Sequence, residues 1–309
     1  NLDFIKTSAT TAHEIFHCFQ YFYGFKYDWL DMKWFMEATA TWSEDFAFRN
    51  QGTEHEYDDD FLNHMPWDLL SYRANRQYGS YLWFFYMTQK FGPENVAYLF
   101  QRIKEQGEPR EALSTLPSFN ENFKEFILWN WNFKPYQYYE DAPPFPDVHP
   151  DGASRERKMV KTPGYFPANI ELAEGAAKYY AYGFAGDKVK LINFDLNEIN
   201  GANKRDKTAI QALYLVKNNW YYEDWSDLKE RSFCRDLDGE KISGVIVMVS
   251  NAELYKTLST GYALNVKNKC GPGWRGTIKV NWKMNRNLNP NGSWRETEDG
   301  SYTISEELE

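Results

Sequence analysis

The sequence predicts an α+β chain in two parts, a mostly helical part over residues 1–140 and an all-β sandwich over residues 165–285. Three observations carry this. The first 135 residues hold long helix-forming runs closed by strong stops such as Gly92-Pro93 and Gly107. From Tyr165 the texture changes to short alternating and β-branched runs, separated by Gly186-Asp187, Asn200-Gly201, Asp238-Gly239 and Gly271-Pro272-Gly273, which is turn chemistry. Between them, residues 141–164 carry five prolines and mixed charge, which reads as a linker laid along the surface.

In chain order, Ala9 to Gly24 has no Pro and no interior Gly, and Thr7, Ser8, Thr10 and Thr11 are available as N-caps. Trp34 to Asp45 is a second helix-forming run, joined to the first by a turn over Gly24 to Lys33. Gln51 to Asp60 is polar and ends in three consecutive aspartates, so a solvated loop with His55 exposed is expected, with calcium as a lesser reading. Further helices are expected over Tyr78–Phe91, Glu94–Gln106, Glu108–Leu116 and Phe119–Asn132, the last capped by Ser118. Trp129 to Tyr139 is dense in aromatic residues that could stack on sugars or form a seam between the two parts. At least six strands are expected, at Lys178–Phe184, Lys188–Phe194, Thr208–Val216, Ile242–Ser250, Gly261–Val266 and Gly276–Trp282, a number and spacing that fit a sandwich. Residues 286–309 are polar and turn-rich, a tail or the start of a further module.

The chemistry is concentrated in His13-Glu14-Ile15-Phe16-His17. On a helix, residues at i and i+4 leave nearly the same face, so both imidazoles can converge on one ion, while Glu14 projects roughly 100° aside toward a water on that ion. A catalytic zinc needs a third protein ligand and one open position. Glu37, 20 residues after His17, would return over the histidine face if the two helices run antiparallel. Glu44 and Asp45 compete for that role. Glu37 is preferred because Met36, Ala38 and Ala40 give it an apolar setting in which an unpaired carboxylate would be costly. Glu44 then supports the site or faces substrate, and the Thr41 hydroxyl could hold Glu37 or a histidine. His64 and Tyr72, Tyr78 and Tyr81 are candidates for stabilising an oxyanion, each weighed against ordinary packing.

The wording His13-Glu14-Ile15-Phe16-His17-Cys18-Phe19-Gln20, followed by Glu37-Ala38-Thr39-Ala40-Thr41-Trp42, resembles the gluzincin-type zinc metallopeptidases, and in particular a little-characterised group of secreted bacterial metalloproteases. The resemblance is best over about residues 8 to 50. It implies a zincin-type catalytic part with Zn²⁺ on His13, His17 and Glu37, Glu14 as the catalytic base, a protein or peptide substrate, and an extracellular location. Gln20 matches the pattern without an assigned role. Zincin sites also carry a sheet upstream of the metal helix, and only 12 residues precede His13, so a fragment lacking that sheet is expected. The rival class is a surface binding or adhesion protein whose metal is structural. The sandwich would position substrate or attach the protein to a surface or a glycan.

Composition narrows the partners. With a formal net charge of -9 and no long basic run, the chain would be repelled by nucleic acid. No apolar run is long enough to span a bilayer. Of three cysteines, Cys18 is expected to be a small buried residue, and the export implied by the resemblance makes Cys234 and Cys270 a candidate disulfide.

Overall fold

The computed structural model describes residues 2–26, 30–141, 144–201, 206–271, 275–284, 287–288, 294–295 and 298–307. Helix α1 (Leu2–Phe22) is uninterrupted because nothing in it breaks the backbone ladder. It stops at Gly24, whose φ of 89° no side chain would easily adopt. The Gly24 amide donates to the Tyr21 carbonyl at 2.9 Å and the Phe25 amide to that of Gln20 at 3.1 Å, the paired bonds of a Schellman cap. The expected hydroxyl caps lie inside this longer helix. Ser8 and Thr11 turn back instead to the carbonyls of Phe4 and Thr7.

Helix α2 (Leu30–Ala47) is buried on every side from Trp34 to Asp45. It runs antiparallel to α1, because His13 meets Glu44 while Gln20 meets Met36 and Thr39. A 3-10 turn (Glu54–Tyr57) and helix α3 (Asp58–Leu62) follow, where a solvated loop was expected. Helices α4 (Arg76–Gly79), α5 (Tyr81–Phe91), α6 (Glu94–Gln106), α7 (Pro109–Ser114) and α8 (Phe119–Trp129) complete the helical part.

The β part begins inside the expected linker. Strand β1 (Arg155–Val160) pairs parallel with β3 (Ala176–Phe184) at the edge of a sheet, so residues 155–160 belong to an element. Strands β2 (Gly164–Leu172), β4 (Leu191–Asp195), β5 (Thr208–Val216), β6 (Asn219–Asp224), β7 (Glu230–Cys234), β8 (Ile242–Asn251) and β9 (Leu258–Lys267) complete two sheets, with a helical turn, α9 (Asn197–Asn200), between β4 and β5. Their orders are β1-β3-β8-β5-β6 and β2-β9-β4-β7. Strand β10 (Arg275–Met284) lies outside both sheets and pairs with β13 (Glu298–Glu307), and β11 (Asn287–Leu288) pairs with β12 (Trp294–Arg295).

The architecture is α+β, and the two parts share a sheet. Successive side chains of a strand point to opposite faces. Tyr180, Tyr182, Val245, Val247 and Val249 therefore face the second sheet, while Tyr179, Leu213, Ile246 and Met248 face the helices. Most residues on both faces of β3, β5 and β8 are buried, which is why those strands read as near-continuous apolar runs. The aromatic stretch after α8 forms the seam: Trp131 stacks on Tyr179 with centroids 5.7 Å apart, and the Tyr179 hydroxyl donates to the Ile127 carbonyl at 2.7 Å. Arg110 adds a polar clamp across the seam, donating to Asp31, Asp68 and the Leu254 carbonyl. Cys234 and Cys270 are joined in a disulfide. A loop of that length adds about 3 to 4 kcal/mol in the chain-entropy account. Cys18, expected to be buried, is free and exposed on α1.

Candidate metal centre

The antiparallel pairing of α1 and α2 brings His13, His17 and Glu37 together, each less than a tenth exposed. Nε2 of His13 lies 3.2 Å, and Nε2 of His17 3.7 Å, from the same Glu37 carboxylate oxygen. The other ring nitrogens are occupied. Nδ1 of His13 is 2.9 Å from Oε1 of Glu44, and Nδ1 of His17 is 2.6 Å from Oε1 of Gln20. The Gln20 amide nitrogen donates to the Met36 carbonyl and the Thr39 hydroxyl, both at 2.8 Å, so its oxygen is the end that faces the ring. Gln20 and Glu44 can only accept from the imidazoles. Each ring is thereby held with a proton on Nδ1 and with Nε2 directed at the shared point.

Two donors bound at roughly 2.0–2.1 Å to a tetrahedral ion stand about 3.4 Å apart. The observed separations of 3.2 and 3.7 Å bracket that value, and two imidazoles with one carboxylate are a donor set suited to zinc. Burial opposes charge on His13, but hydrogen bonds to Glu37 and Glu44 outweigh it and hold its pKa up at about 9.

Glu14 lies one residue from His13, exposed on α1, in an open depression with Thr7, Thr10, Thr11 and Cys18. Beside it runs an apolar groove lined by Phe4, Ile15, Phe16, Phe19, Phe46 and Phe48. Of the proposed phenols, Tyr78 stands at the site, its ring centroid 6.1 Å from that of His13. Burial, and then the charge of Glu37, push its pKa up to about 12, so it stays a neutral donor. Tyr81 is elsewhere, buried and hydrogen-bonded to Asp58. His64 is likewise outside the site, bonded to the Asp60 carbonyl and packed at a tilt against Trp67 with ring centroids 4.1 Å apart. The Thr41 hydroxyl bonds the Glu37 backbone carbonyl at 3.0 Å, not its carboxylate.

Residues 3–137 match DUF6055, a family of unknown function. The match spans His13, Glu14, His17, Gln20, Glu37 and Glu44, and it ends where the helical part gives way to the linker. A search of curated proteins finds no match.

Sequence reasoning left Gln20 without a role. The signal was its spacing: three residues after His17, it shares the face that turns toward α2. Thr53 was missed because it lies outside both helices, yet its hydroxyl donates to the second Glu44 oxygen at 3.1 Å.

Proposed function

We propose that the chain is a zinc-dependent endopeptidase of gluzincin type, secreted by a bacterium, with His13, His17 and Glu37 as the metal ligands. The observation that carries this reading is the convergence of two Nε2 atoms on one Glu37 oxygen, with both Nδ1 atoms held by Glu44 and Gln20. An ion that merely bridged helices would need no catalytic neighbours. Three protein ligands would leave one position of a tetrahedron for a water; the Tyr78 ring stands beside His13, and Glu14, the residue after His13, lines the neighbouring depression.

Bound there, zinc would supply Lewis acidity, polarising a substrate carbonyl and acidifying the attacking water. The chain's residues do the rest. Glu14 takes the water's proton and passes it to the leaving amine. Tyr78 offers a neutral O–H toward the oxygen that gains negative charge. Glu44 and Gln20 keep both imidazoles in the ligating orientation throughout. The apolar groove that shares Ile15 with the Glu14 depression would seat an apolar stretch of the substrate.

The test is Glu14→Gln, which keeps volume and removes the basic oxygen. Zinc content should stay at the wild-type value while peptide hydrolysis falls roughly 10²- to 10⁴-fold. Equal cleavage by the variant, or a wild-type protein that cleaves no member of a broad peptide library, would leave the metal a structural role in a binding or adhesion protein.

A further inference from the structure

A second cluster of metal-binding chemistry lies outside the histidine pair of α1. His55 is at the centre of it, with a side chain only 10% exposed. Its Nε2 faces Oδ2 of Asp141 at 2.7 Å and Oε1 of Glu54 at 3.5 Å. These three ligand atoms all lie within 4.8 Å of one another. The opposite nitrogen is oriented: Nδ1 donates to the Tyr81 hydroxyl at 2.8 Å, which donates in turn to Oδ1 of Asp58 at 2.7 Å. That relay places the proton on Nδ1 and leaves Nε2 for whatever lies between Glu54 and Asp141.

Glu54 is the unexplained member. It is 1% exposed, and neither of its carboxylate oxygens has a hydrogen-bond partner. A buried carboxylate in that condition is costly, and a protein normally supplies donors to it. The cluster as a whole has too many acids. Glu54, Asp58 and Asp141 surround one imidazole, which can carry a single positive charge at most.

We propose that Nε2 of His55, with Glu54 and Asp141, binds a second divalent ion of the zinc and manganese class. One nitrogen and two carboxylates suit such an ion better than calcium, which takes oxygen ligands and gains little from imidazole. Seating it requires Asp141 to move back from Nε2 by several tenths of an ångström, since ligand pairs on such an ion stand about 3.4 Å apart. The site is independent of the helix-pair centre in its ligands, though close to it along the chain. Thr53, the residue before Glu54, bonds Glu44, which holds His13. An ion at His55 would therefore stiffen the turn that supports the helix-pair site.

The experiment measures metal bound to chelator-stripped full chain after dialysis against Zn²⁺, and separately against Mn²⁺. The variant His13→Ala/His17→Ala should keep one equivalent of at least one of these ions, and adding Glu54→Gln should remove it. A doubly substituted chain that is folded and binds neither ion overturns the proposal. A wild-type chain with one equivalent that survives His13→Ala/His17→Ala supports the second site and instead removes the helix-pair reading. Folding is controlled by a second readout. In metal-free protein Glu54→Gln should raise the melting temperature, because an unpartnered buried carboxylate is gone, and it should abolish most of the rise that Zn²⁺ or Mn²⁺ produces at His55. If Glu54 serves only as a partner of protonated His55, metal-free Glu54→Gln melts lower than wild type, and the proposal fails.

Discussion

The centre between α1 and α2 and the cluster around His55 use the same residue types with opposite charge economies. At the first, two imidazoles face one carboxylate oxygen, and Glu44 and Gln20 take up the remaining ring nitrogens. At the second, one imidazole is enclosed by three carboxylates, one of them without a hydrogen-bond donor. The difference lies in what each can lose. At the first, hydrogen bonds to Glu37 and Glu44 outweigh burial and hold the His13 pKa up at about 9, so a proton on His13 can balance part of the carboxylate charge. The second cannot be neutralised by one proton, and burial lifts Glu54 to about 7 as the system's partial remedy. Access differs in the same direction. Glu14 and an apolar groove lie open beside the first, whereas Tyr81 and Asp58, both fully buried, close off the back of the second.

The largest effect that can break this contrast is loss of a ligand at the helix pair. His13→Ala, His17→Ala and Glu37→Ala should each remove most of the zinc held there, because three ligands lose their geometry when any one is withdrawn. Atomic absorption on stripped and reloaded protein measures it. Retention of zinc by Glu37→Ala together with its loss in Glu44→Ala would exchange the roles of the two carboxylates.

Next in size is the removal of what orients the rings. Gln20→Ala and Glu44→Gln leave the ligands in place but free the imidazoles to turn, and should each weaken zinc about 10- to 100-fold. Gln20→Ala also removes two buried hydrogen bonds, to the Met36 carbonyl and the Thr39 hydroxyl, though that hydroxyl still donates to the Phe35 carbonyl, so it should cost about 1 kcal/mol of stability as well. Competition with a chromogenic chelator gives the first quantity and denaturant titration the second. Zinc affinity unchanged in both variants would mean that the helices alone fix the rings.

How much of this was legible follows from distance along the chain. His13 and His17 stand one helical turn apart and Glu37 returns on the next helix, so local periodicity was enough to assemble them. Glu44 was legible as a supporting group two turns beyond Glu37 on the same helix. The His55 cluster was not, because its ligands include Asp141, 86 residues away, and a run of acids ordinarily marks a solvated loop. Burial of Asp58 and Glu54 depends on α5 packing over the turn, through Tyr81, which no local pattern announces. The same reasoning explains β1. Arg155, Glu156, Arg157 and Lys158 suit a charged sheet edge, and such a strand lacks the apolar alternation by which strands are recognised. Helix α6 was legible to the residue because Gly107, at φ 87°, ends it chemically.

The smallest predicted effect tests whether the two clusters communicate. Thr53 is the connection: its hydroxyl donates to Oε2 of Glu44 while Oε1 of Glu44 holds His13, and the next residue, Glu54, faces His55. Thr53→Val preserves shape and deletes only that donor. Because the contact is half-buried, water can partly replace it, and the loss should be about 1 kcal/mol or less, which is roughly a fivefold weakening of zinc at the helix pair. Isothermal titration of the Glu54→Gln background with zinc isolates that site, so Thr53→Val can be read without interference from His55. If Thr53→Val weakens zinc in the native chain and not in the Glu54→Gln background, the support reaches His13 only when the His55 cluster is intact. Equal weakening in both backgrounds would make Thr53 a local brace for Glu44, and the two clusters would then be neighbours along the chain with no energetic link.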